Sequence, residues 1–172
     1  GKPADIAKSF VIQRSLTIQS LNPLEPMLRF DISVQDKTIF ELKNISRFRL
    51  DGVYAIGSNA IVISGHANRI EIAGCRFEWC VPLSIKSDKD FSIHMEDSQV
   101  CNGNMEIAPD TAGEKSAAFH RNHFFVDGNI SKNMRLKNIQ GTFGGNRFEG
   151  YSLVLMAGEK DTGIDVFENV FC

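Results

Sequence analysis

The chain has 172 residues, with 19 Lys and Arg against 21 Asp and Glu, for a net charge of −2. That length suits one domain, and an apolar content of 42 % is enough to bury a sizeable core. The near-balanced charge supplies no bulk field for nucleic acid or a membrane surface, and no apolar run approaches the roughly 18 residues of a membrane span. The start carries no signal-peptide pattern, because Lys2, Asp5 and Lys8 interrupt any apolar run.

In chain order, PADIAKS (3–9) reads as one turn of a capping helix. Short apolar-x-apolar strings then follow one another: Phe10-Ile12, Leu16-Ile18, Leu28-Phe30, Phe40-Leu42, Phe48-Leu50 and Ile61-Ile63. They continue as Ile70-Ile72, Leu83-Ile85, Phe91-Ile93, Met105-Ile107, Ala117-Phe119, Leu153-Leu155 and Ile164-Val166. Each predicts a short strand of period two. The strings form two interleaved series. One runs Leu50, Ile72, Ile93, Phe119, Phe143, Val166; the other runs Leu42, Ile63, Ile85, Ile107, Ile130, Leu155. A step of about 23 residues carrying two or three strands is one turn of a β-solenoid, whose coils stack about 4.8 Å apart. The length allows about seven coils.

Offsets from the first series sharpen this expectation. Phe77, Phe124, Phe148 and Phe171 lie five residues after their anchors and predict an inward Phe column. Asn122, Asn146 and Asn169 lie three after and predict an Asn ladder at a turn, where the amide bonds to copies above and below. Arg76, Asp97, His123 and Arg147 lie four after and predict an outward column. His94 and His120 would stack on neighbouring coils. The polar stretches 87–90 and 108–116 read as loop insertions, the second projecting beside a groove. Cys80 and Cys101 sit at one offset on adjacent coils, where a disulfide or two stacked thiols both fit.

The strings NRIEIAGCRFEW (68–79), AAFHRNHFFVDGN (117–129), GGNRFEG (144–150) and GIDVFENVFC (163–172) resemble the right-handed parallel β-helix of the pectin-lyase-like superfamily. Within it they are most similar to the alginate-lyase and chondroitinase-B family of polysaccharide lyases and its accessory modules. The resemblance implies a single all-β domain over 1–172, a module of a longer protein, secreted, periplasmic or at the bacterial cell surface. It implies an acidic polysaccharide as partner, with no nucleic acid and no membrane insertion. The open C-terminal coil calls for a cover from the rest of a larger chain or another subunit.

If the module is catalytic, the resemblance implies β-elimination. His123 or His120 would then act as base, Arg76, Arg121 and Arg147 would hold carboxylates, and Trp79 would stack on a sugar. Glu96 and Asp97 would hold calcium, a cation that prefers hard oxygen ligands. The rival reading is a non-catalytic carbohydrate-binding, adhesin or structural β-helix. GCRFEW (74–79) echoes a lyase coil only in part, with Gly74 where Asn is expected and no Gly-Lys turn after it.

Overall fold

The computed structural model describes residues 4–5, 9–20, 28–31, 38–57, 59–85, 89–110, 113–156 and 163–172. Among these there are 22 strands and no helix. The strands stack in three parallel sheets of a β-solenoid. Sheet 1 has eight strands, from Ala4–Asp5 to Val170–Phe171. Sheet 2 has seven, from Phe10–Ile12 to Tyr151–Leu155, and sheet 3 has seven, from Leu16–Gln19 to Ile164–Phe167. The chain visits sheets 2, 3 and 1 in turn. From Thr38–Leu42 to Tyr151–Leu155 it makes five such turns, somewhat fewer than the seven coils expected, and the strands outside that span keep the same order of sheets.

Every apolar-x-apolar string lies in a strand. The capping helix does not form at Ala4–Asp5, which instead pairs as a strand with Phe30–Asp31. Positions 3 and 6–8 of that stretch lie outside the described residues, as do 87–88 and 111–112 of the two loops.

Two anchors differ from expectation. Ile72 pairs with Met95, and Ile93 pairs with Ile70, across a bulge in the Ala67–Ala73 strand. A slip of two residues keeps every apolar side chain inward, so alternation cannot detect it. The correction moves Asp97 out of the outward column and puts Gln99 there, between Arg76 and His123. It moves Ser98 into the Asn ladder and Val100 into the Phe column. It also separates the two cysteines: Cys101 faces Glu78 across the sheet, and Cys80 and Cys101 are both free thiols. In the second series, Ile107 pairs with Leu136, and Ile130 is an exposed residue of the connection 126–131.

Each of the six described passages from sheet 3 to sheet 1 uses a single left-handed residue. Gly52, Gly74, Asp97, Arg121, Gly145 and Glu168 hold φ between 49° and 65° there. The next residue is buried in every case but Asn169, which is half-buried, and from Ser98 to Asn169 it builds the ladder. Its amides run coil to coil: the Ser98 N–H donates to Asn122 Oδ1 at 3.0 Å, Asn122 N–H to Asn146 Oδ1 at 2.9 Å, and Asn146 N–H to Asn169 Oδ1 at 3.0 Å. Inside, rings stack at coil spacing. Phe119 lies 4.8 Å from Phe143, Phe124 lies 4.9 Å from Phe148, and Phe148 lies 4.8 Å from Phe171 between centroids. The core is therefore a column, and every second residue of each sheet is left for the surface.

Candidate functional site

The residue just before each corrected anchor points outward from sheet 3. In register these are Arg49, Glu71, His94, Ala118, Thr142 and Asp165. A second outward row, two residues earlier, includes Arg69, Ser92, Ser116 and Gln140. Together they line a groove of about 1060 Å³ that crosses six successive strands. Five interstrand steps give it a length of about 24 Å along the solenoid axis. Its floor is low where Ala118 carries only a methyl group. A second hollow of about 570 Å³ continues it over Ser92, Ser116 and Gln140. The connection 108–114 borders that hollow through Gly113 and Glu114, as the sequence led us to expect.

Charge is distributed unevenly along the groove. At one end the buried Glu71 carboxylate is held by two arginines, Arg47 at 2.6 Å and Arg69 at 2.7 Å. Burial opposes its charged form, but the Arg47 hydrogen bond and the two guanidinium charges outweigh burial and hold the carboxyl below its ordinary range. Two cations on one anion leave a positive excess at that end. Arg49 bonds Asp51 at 2.8 Å. Midway, His94 and His120 lie with ring centroids 5.8 Å apart, and His120 Nε2 is 3.0 Å from the Thr142 hydroxyl. Asp165 closes the far end.

The residues singled out from sequence fall into three places. Glu96, Asp97, His120 and Arg121 gather where sheet 3 turns into sheet 1. Arg121 bonds both carboxylates there, Glu96 at 3.0 Å and Asp97 at 2.8 Å, and its hydrogen bond holds the Asp97 carboxyl below its ordinary range. A guanidinium already bridges the pair that a calcium ion would need. Among the described residues no three His, Cys, Asp or Glu side chains gather as metal ligands. Arg76, His123 and Arg147 lie instead on the outer face of sheet 1. Arg76 bonds Glu78 at 2.9 Å and lies over the Tyr54 ring, and Arg147 pairs with Glu149. His123 Nε2 is 3.3 Å from Glu149 Oε1, yet it is buried with no aligned hydrogen-bond partner. Trp79 is 59 % exposed on the turn from sheet 1 to sheet 2, away from the groove lining.

Sequence reasoning did not find most of the groove. His94 was noticed, but Arg49, Glu71, Thr142 and Asp165 were not. Their shared signal is an offset of minus one, legible only once Met95 replaces Ile93 as the anchor. Comparison with family models, curated proteins and solved structures finds no match for the chain.

Proposed function

We propose that the chain is a glycan-binding β-solenoid module, holding an elongated acidic polysaccharide along the sheet 3 groove. The observation that carries this reading is the groove itself, which runs with the solenoid axis and offers polar side chains on each of six successive strands. An extended linear polymer suits a groove whose strands are evenly spaced along the axis, and the varied side chains on them suit successive sugars differently. The shared Glu71 leaves Arg47 and Arg69 able to attract a carboxylate at one end. Binding ranks ahead of catalysis because a lyase needs a base beside a cation that is open to substrate, and the histidines at the groove face a carboxylate and a hydroxyl instead, His94 toward Glu96 and His120 toward Thr142. The likeness to polysaccharide-lyase β-helices supports the choice of polymer and a secreted, periplasmic or cell-surface site of action.

A second reading, β-elimination on the same kind of polymer, rests on His123. Its unbonded Nε2 beside Glu149, with Arg147 on the next strand, is the arrangement of a base next to a carboxylate clamp. In that reading His123 takes the proton α to the uronate carboxylate, and Arg147 must release Glu149 to bind it.

A panel of alginate, pectate, glycosaminoglycan and neutral polymers separates the two. Glycan binding predicts retention of the protein by one or more polymers, without unsaturated product absorbing in the near ultraviolet. Ala118→Trp, which fills the groove floor, abolishes that retention. Retention by none of the polymers overturns the proposal. Unsaturated product that His123→Ala eliminates selects the second reading.

A further inference from the structure

Beside the groove, on the same outer face of sheet 3, runs a third row: Asp51, Ala73, Glu96, His120, Gly144 and Phe167. Phe167 is unusual in it, as a large apolar ring that is 46 % exposed on an otherwise polar face. The ring does not stand out into solvent. It leans back along the axis and lies over Gly144, where an added Cβ would overlap it. Its centroid thereby comes within 6.1 Å of the His120 ring, although the strand Gln140–Gly144 lies between the two residues. His120 in turn lies 5.8 Å from His94. The three rings form a rail along one edge of the groove, from its middle to the end marked by Thr142 and Asp165.

We infer that Phe167, laid down by Gly144, is the sugar-stacking platform of this groove and sets which ring the Thr142–Asp165 end accepts. The inference rests on the glycan-binding reading and names the residue that reads the sugar. A pyranose has one face of C–H groups and an edge of hydroxyls. The face of Phe167 meets the first, while the Thr142 hydroxyl and the Asp165 carboxylate, one strand apart on the neighbouring row, meet the second. An aromatic face beside a few fixed polar groups is also how single-stranded nucleic acid is held. Asp165 and Glu96 disfavour an anion at this end, so the sugar turns hydroxyls toward them and its carboxylates lie toward Arg47 and Arg69, whereas a phosphate backbone is charged at every step.

The test is calorimetric titration of the full chain with hexasaccharides of glucose, mannose and guluronate, and with a thymidine oligonucleotide. Phe167→Ala, Phe167→Leu and Phe167→Tyr are compared with the parent after thermal melts establish that each is folded. The inference predicts that the parent binds one of the sugars. Ala and Leu weaken that binding about tenfold, the scale of one aromatic stacking contact, while Tyr retains it. Sugar binding that Phe167→Ala leaves unchanged overturns the platform and spares the groove. Sugar binding lost equally with Tyr shows a packing role, and overturns it too. No sugar bound by the parent overturns the glycan reading and the platform together. Oligonucleotide binding in place of sugar binding, with the same dependence on Phe167, replaces the sugar with a base.

Discussion

Asn146→Ala should be among the most damaging polar substitutions in the chain. Asn146 is 1 % exposed and makes four side-chain hydrogen bonds. Its Oδ1 accepts from the Asn122 backbone at 2.9 Å and the Asn122 amide at 3.1 Å. Its Nδ2 donates to Phe119 O at 2.8 Å and to Asn169 Oδ1 at 2.9 Å. Alanine leaves the Asn122 N–H buried and unpaired, at about 1–3 kcal/mol, and removes three further bonds at about 0.5–1.5 kcal/mol each. The Asn122 amide keeps Met95 O and Asn169 Oδ1 keeps the Asn146 N–H, so the total falls toward the low side, about 4 kcal/mol. For a chain of this size that is a fall in Tm of about 10 °C. Urea unfolding followed by circular dichroism measures it as a midpoint shift at unchanged slope. Asn129→Ala, in the exposed connection 126–131, is the control and should stay within about 0.5 kcal/mol. An Asn146→Ala loss below about 1 kcal/mol would refute the ladder as the device that holds successive turns together.

Three more outcomes follow from buried and crowded groups. The Glu71 carboxyl titrates lower folded than unfolded, so it adds stability that is present above the ordinary carboxylate range and lost as pH falls through the folded value. Glu71→Gln should therefore melt lower than the parent at pH about 7 and converge with it in strong acid, and parallel melting curves across that range would contradict the pairing. Burial pushes the Cys75 thiol up to about 12 and raises Cys80 and Cys101 as well, while Cys172 is exposed. A native thiol titration should count one fast group, with all four only after unfolding; two or more fast groups would show that the coils open readily. Gly103→Ala places a Cβ into the Cys80 carbonyl, a backbone atom that has no room to yield. A loss of about 1–3 kcal/mol in urea is expected, and a neutral result would mean the turn relaxes.

Strands were legible because inward and outward residues alternate, and alternation survives any error of register by an even number. That is why Phe119, Phe143 and Val166 were placed correctly while Ile93 stood in for Met95. The Asn and Phe columns were legible because side chains that repeat coil after coil reinforce one another. Ser98 and Val100 do the same work with different side chains, so their coil escaped the pattern. Ile130 misled because an apolar residue in an exposed turn looks the same in sequence as one in a strand. The groove was hidden for a different reason. Its residues share a position but no chemistry: Arg49, Glu71, His94, Ala118, Thr142 and Asp165 show no repeat, and only stacking brings them into one row. The slip at Ile93 had a direct effect on the candidate site. It placed Asp97 between Arg76 and His123 in the outward column, where Gln99 stands.

The central claim is that the sheet 3 groove is the glycan site. An amide-resolved nuclear magnetic resonance titration with an oligosaccharide the protein retains tests it most directly. Shifts confined to Ser92, His94, Ser116, Ala118, Thr142 and Asp165 and their immediate neighbours are the predicted result. Shifts centred on His123 and Arg147 on sheet 1, with the groove amides unmoved, would contradict it.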